Sequence, residues 1–155
     1  MTKTFTTHRR GLFGLFGTGA ATAVLAACGS GAQAKSFPVA HSEAEWKKRL
    51  TKAEFYVLRQ EGTERPYSSP LNEEKRKGVF ACAGCGNAVY SSEHKYDSGT
   101  GWPSFWTPVS EDAIETRPDL RYEDDLTEVV CARCDAHLGH VFESGPEPTA
   151  LRYCI

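Results

Sequence analysis

The sequence predicts a mainly β protein with an antiparallel core and short helices confined to its N-terminal side. Three observations carry this. From Gly78 onward, short apolar runs alternate with Gly and Pro. Helical periodicity occurs in only two stretches, both before residue 61. Two C-x-x-C pairs, Cys82/Cys85 and Cys131/Cys134, lie 45 residues apart and can fasten remote parts of a sheet. The 155 residues support one domain with appendages, and 40% hydrophobic with 25% charged residues is an ordinary globular balance. A formal net charge of −2 supplies no basic field, so no nucleic acid partner is expected.

Residues 1–34 read as an export signal rather than as part of the fold. Lys3, Arg9 and Arg10 precede Gly11–Ala27, a run without charge. That run is shorter than a membrane span of about 20 residues and rich in glycine. Adjacent arginines before an apolar run match a twin-arginine signal. Two endings stay open. Ala32-Gln33-Ala34 is an A-x-A cleavage site, whereas Leu25-Ala26-Ala27-Cys28 resembles a bacterial lipobox and is the more specific signal. The second ending would make Cys28 the lipidated first residue and attach the protein to a membrane through it, with Gly29-Ser30-Gly31 as a short tether. The destination read from either is periplasmic, and the folded domain is 35–155, with a formal charge of −5 once the three basic residues of the signal are gone.

Ser42-Glu43-Ala44-Glu45 and Thr51-Lys52-Ala53-Glu54 each form a capping box, a hydroxyl followed three residues later by Glu. Trp46 with Leu50, and Phe55 with Leu58, give each short helix an apolar stripe to pack against the outside of the domain. Gly62–Asn72, carrying Pro66 and Pro70, reads as an extended loop. The candidate strands are Val79–Phe80, Val89–Tyr90, Ala113–Thr116, Glu128–Val130, Leu138–Phe142 and Leu151–Tyr153.

Two thiolates on one tight turn reach a single ion, and two such turns complete a tetrahedron. Cys82, Cys85, Cys131 and Cys134 are therefore the candidate ligands of one structural zinc. Four sulfur ligands close the coordination sphere, so the metal is not the catalyst. The competing reading makes the pairs redox-active dithiols of an exported oxidoreductase. Zinc thiolates are unusual in an oxidising compartment. Export of an already folded, zinc-loaded chain reconciles the two.

Cys154 stands outside the knuckles. Arg152, two residues earlier, shares its face in an extended strand, and a nearby guanidinium favours the reactive thiolate. His137 and His140 can supply a proton near neutral pH. In a regular strand they face opposite ways, unless Gly139 marks a bend. Trp102, between Gly101 and Pro103, is an aromatic on a rigid loop, suited to contact a sulfur-bound methyl group.

The series C-A-G-C, K-Y-D-S-G-T-G-W-P-S-F, C-A-R-C, H-L-G-H-V-F, G-P and L-R-Y-C, spread over residues 43–155, closely resembles the B-type peptide-methionine (R)-S-oxide reductases. The resemblance implies two antiparallel β-sheets, peripheral N-terminal helices and a zinc site remote from the catalysis. It implies that Cys154 attacks the sulfoxide sulfur of methionine-R-sulfoxide in oxidised proteins or peptides and becomes a sulfenic acid. By position, His137 and His140 match the pair that protonates the oxygen and orders the site. Arg152 matches the basic neighbour, and Trp102 and Phe142 the substrate contacts. A thioredoxin-like or other thiol reductant closes the cycle. Two departures stand out. Thr100 occupies the place of a resolving cysteine in many members, which implies direct reduction by an external thiol. Members also continue past the nucleophile with an Asn two positions on and a further strand, so the resemblance implies either a chain truncated at Ile155 or an impaired activity. A non-catalytic exported zinc-binding module is the alternative that needs no reactive Cys154.

Overall fold

The computed structural model describes residues 35–122 and 126–155; the export signal read in residues 1–34, Cys28 included, lies outside them. Helix α1 spans Glu43–Arg49 and α2 spans Lys52–Gln60. Both capping boxes form. Ser42 N–H donates to the Glu45 carboxylate at 2.8 Å, and Thr51 N–H donates to Glu54 at 2.8 Å. Such caps contribute on the order of 1 kcal/mol each, which matters for helices this short. Trp46, Leu50, Phe55 and Leu58 are all buried, as the stripes require.

The strands are β1 (Val79–Ala81), β2 (Ala88–Ser91), β3 (Lys95–Tyr96), β4 (Ser104–Phe105), β5 (Ile114–Pro118), β6 (Thr127–Cys131), β7 (His137–Phe142) and β8 (Arg152–Cys154). They form two antiparallel sheets, β1-β2 and the six-stranded β3-β4-β8-β7-β6-β5. Strands β3 and β4 go beyond the sequence reading, because two residues are too few to show a period of two. Pro70–Glu73, inside the predicted loop, is a short 3-10 turn whose leading Pro lacks the N–H that such a turn leaves unpaired. Between the sheets, the Tyr90 and Phe105 rings stack at 4.5 Å and Phe80 meets Phe105 edge-on at 5.0 Å.

The irregularity foreseen at Gly139 is a β-bulge. Val130 pairs with His137 but Val129 pairs with Gly139, so Leu138 is the extra residue of β7. The bulge rephases the strand and brings His137 and His140, three apart, to one face with ring centroids 5.4 Å apart. Gly139 has φ +148°, and a Cβ there would stand 2.0 Å from the Cys154 carbonyl oxygen. Any other residue would push β8 away from β7.

Candidate active site and metal centre

Each knuckle is a turn closed on its first cysteine. Gly86 N–H donates to the Cys82 carbonyl at 2.8 Å, and Asp135 N–H to the Cys131 carbonyl at 2.9 Å. The four Sγ atoms lie within 4.8 Å of one another. Cys82 and Cys134 sulfurs are 3.7 Å apart, and those of Cys85 and Cys131 are 3.6 Å apart. A disulfide needs about 2.05 Å. Tetrahedral zinc with bonds of about 2.3 Å spaces its sulfurs by about 3.8 Å. The donor set therefore fits zinc and not a pair of disulfides. Hydrogen bonds from Cys134 and Cys82 hold Cys131 far below the usual thiol range, while Cys82 is pushed up to about 12 by Cys131. Cys134 is pushed up too, again by Cys131 first. A divalent ion at their centre would let all four sulfurs bind as thiolates. Arg59 of α2 donates to the Cys134 carbonyl at 2.8 Å and stacks on Trp46, tying this centre to the helices.

The chemistry-bearing face lies elsewhere on the large sheet. Register places Tyr96, Ser104, Cys154, His140, Glu128 and Arg117 directly opposite one another on β3, β4, β8, β7, β6 and β5. Cross-strand partners share a face, so the nucleophile candidate sits beside His140. Cys154 opens into a pocket of about 210 Å³ with Trp102, His137, His140, Phe142 and Glu64. Trp102 is pinned by its indole N–H, which donates to the Glu64 carbonyl at 2.9 Å. Arg152 shares the Cys154 face, but its guanidinium lies 4.2 Å over the Phe142 ring and donates to Ser144 at 3.2 Å, outside that pocket. Thr100 Oγ1 lies 3.7 Å from Cys154 Sγ.

Each histidine is held by its own carboxylate, and each carboxylate by its own arginine. His137 Nδ1 meets Glu128 Oε1 at 2.6 Å, and Arg117 Nε donates to Glu128 Oε2 at 2.6 Å. His140 Nε2 meets Asp119 Oδ2 at 2.8 Å, and Arg121 Nε donates to Asp119 Oδ1 at 2.8 Å. Burial pushes His137 below the ordinary imidazole range, against the pull of Glu128. Burial pushes Glu128 up, but Arg117 and then His137 outweigh it and hold the carboxyl below its usual range. Arg121 holds Asp119 well below it. These carboxylates accept the ring N–H, which leaves His137 Nε2 and His140 Nδ1 free for other partners. Sequence reading missed all four of these supporting residues. Glu128 had a signal, a lone charge in the apolar run Thr127–Cys131; Asp119, Arg117 and Arg121 had none.

The SelR domain family matches residues 50–155. The chain is 55% identical over 117 residues to the peptide methionine sulfoxide reductase MsrB of Methanosarcina barkeri, covering 76% of this chain and 82% of that one. It is 54% identical over 114 residues to the enzyme of the same name from Methanosarcina mazei, covering 74% and 81%. With that of Pseudomonas savastanoi pv. phaseolicola it shares 51% over 111 residues, covering 72% and 85%.

Proposed function

The chain belongs to the SelR domain family, and from that premise we propose that it works as a B-type peptide methionine sulfoxide reductase with Cys154 as its nucleophile. It reduces methionine-R-sulfoxide in oxidised proteins or peptides. The observation that carries the residue assignment is the register that sets Cys154 opposite His140, in one pocket with Trp102 and Phe142.

The Cys154 thiolate attacks the sulfoxide sulfur while the sulfoxide oxygen takes the Nδ1 proton of the imidazolium form of His140, whose Nε2–H stays on Asp119, so the ring is left neutral. The oxygen passes to Cys154 as a sulfenic acid, and methionine leaves as the thioether. His137, buried and kept neutral, orders the ring beside it. The pinned Trp102 offers its face to the sulfoxide methyl, with Phe142 lining the same pocket and Arg152, stacked on Phe142, as the nearby positive charge. An external thiol of a thioredoxin-like or other reductant attacks the sulfenic sulfur and releases water. A second thiol frees Cys154 and leaves the reductant as disulfide. Thr100, which carries no sulfur, cannot intercept that intermediate. Zinc on Cys82, Cys85, Cys131 and Cys134 supplies mechanical fastening of the two knuckles. Residues 1–34, on their sequence, direct the 35–155 domain out of the cytoplasm, ending either in cleavage after Ala34 or in lipidation of Cys28.

The test is Cys154→Ser. The variant keeps zinc and melting temperature but loses turnover of a dabsylated methionine-R-sulfoxide with a chemical dithiol. In the native chain, one turnover without reductant leaves Cys154 oxidised or adducted by mass spectrometry. Turnover surviving in the serine variant sinks the assignment.

A further inference from the structure

A string of three hydroxyls runs from the Cys154 sulfur into the sheet. Thr100 Oγ1 lies 3.7 Å from Cys154 Sγ, Ser98 Oγ lies 2.8 Å from Thr100 Oγ1, and Ser104 Oγ lies 2.7 Å from Ser98 Oγ. At its inner end Ser104, fully buried on β4 opposite Cys154, donates to the Trp102 carbonyl at 3.3 Å. The loop bearing it is clamped from outside. Tyr67 Oη donates to the Gly99 carbonyl at 2.8 Å, while Tyr67 N–H and Asn72 Nδ2 donate to the Gly101 carbonyl at 2.7 and 2.9 Å.

We propose that Thr100, backed by Ser98 and Ser104, donates a hydrogen bond to the Cys154 thiolate, and that the string reverses direction when the sulfur ionises. With a thiol, S–H donates to Thr100, Thr100 to Ser98, Ser98 to Ser104, and Ser104 to the Trp102 carbonyl. With a thiolate, Ser104 donates to Ser98, Ser98 to Thr100, and Thr100 to the sulfur. Each hydroxyl keeps its own proton; the one lost by Cys154 leaves through the pocket. Hydroxyls carry a donor and acceptors on one rotor, which is why three in series can turn together. A donor aimed at the charged form favours that form.

The inference rests on reading Cys154 as the nucleophile, yet its test needs no sulfoxide. The readout is the rate of iodoacetamide alkylation of Cys154 at neutral pH in the zinc-loaded full chain, followed by peptide mass spectrometry. Thr100→Val slows alkylation about tenfold, the order expected for one lost charge-assisted donor. Thr100→Ser stays within about twofold, and Ser98→Ala slows it about threefold, since the string is cut one link further away. Valine copies the shape of threonine and serine copies its hydroxyl. A rate that follows shape, with serine slower than valine, or a Thr100→Val rate equal to the native one, overturns the proposal. If Thr100→Val loses zinc, Ser98→Ala decides, and an unchanged rate there overturns it too. Loss of turnover in Cys154→Ser beside native alkylation in Thr100→Val would sink this inference alone.

Discussion

At the knuckles, four sulfurs crowd within 4.8 Å of one another, three of them buried, each pair held by a turn folded back on its own first cysteine. On β8 a single half-buried sulfur faces a pocket, with His140 opposite and one hydroxyl against it. The element and the side chain are the same. Number, burial and neighbours make one set a fastening and the other a reagent. Four thiols that close cannot ionise together without a cation, so the knuckles are committed to a metal. One thiol that has no second sulfur beside it among the described residues is left free to take an oxygen.

The sharpest way to break this comparison is to exchange the fates of the two sites. Cys131→Ser, at a fully buried ligand, is expected to lose stoichiometric zinc and to lower the melting temperature by more than about 10 °C, whereas Cys154→Ser moves it by less than about 2 °C. Metal analysis and calorimetry on both variants check this. A Cys131→Ser protein as stable as the native one would remove the mechanical role of the knuckles.

A smaller effect sharpens the reactive side. Asp119 touches His140 and Arg121 but does not line the pocket, so it acts through the ring it orients. Asp119→Asn is expected to lower kcat about 10- to 100-fold while KM stays within about threefold. Steady-state kinetics with saturating dithiol give both numbers. A fall confined to KM would mean that the carboxylate shapes the pocket rather than the proton donor.

The smallest effect is on stability against pH. Asp119 and Glu128 have folded values below their ordinary ones, so the stability they add is present above the unfolded carboxylate range near pH 4 and is lost as pH falls through the folded values. His137, also depressed, resists protonation in the fold; its contribution is present above about pH 6.5 and is lost below it. The melting temperature should therefore drop as pH falls from 7 to 5 and drop further below 4. In Asp119→Asn the lower part of that decline should be shallower. A native melting temperature that rises on acidification contradicts both assignments.

Much of this was legible in the chain itself. Both capping boxes formed where a hydroxyl stood three residues before Glu, because that pattern satisfies backbone donors locally. The paired C-x-x-C units announced their common centre, since two thiols on one turn are already set for a single ion. Cys154, Trp102 and the two histidines were visible as residue types in a specific order. Cross-strand matters were not. That Tyr96, Ser104, Cys154, His140, Glu128 and Arg117 form one row depends on five strand registers, and no register is written within a single strand. Asp119 and Arg121 look like loop charges until the fold puts one of them against an imidazole. The sequence by itself determined which sulfurs pair and where the short helices begin, because those rest on contacts a few residues long. Only the tertiary structure decided which carboxylate serves which histidine, and that a bulge at Leu138 turns both rings to the nucleophile's face. A one-residue slip between strands inverts every side chain beyond it, and packing of the whole sheet selects the slip.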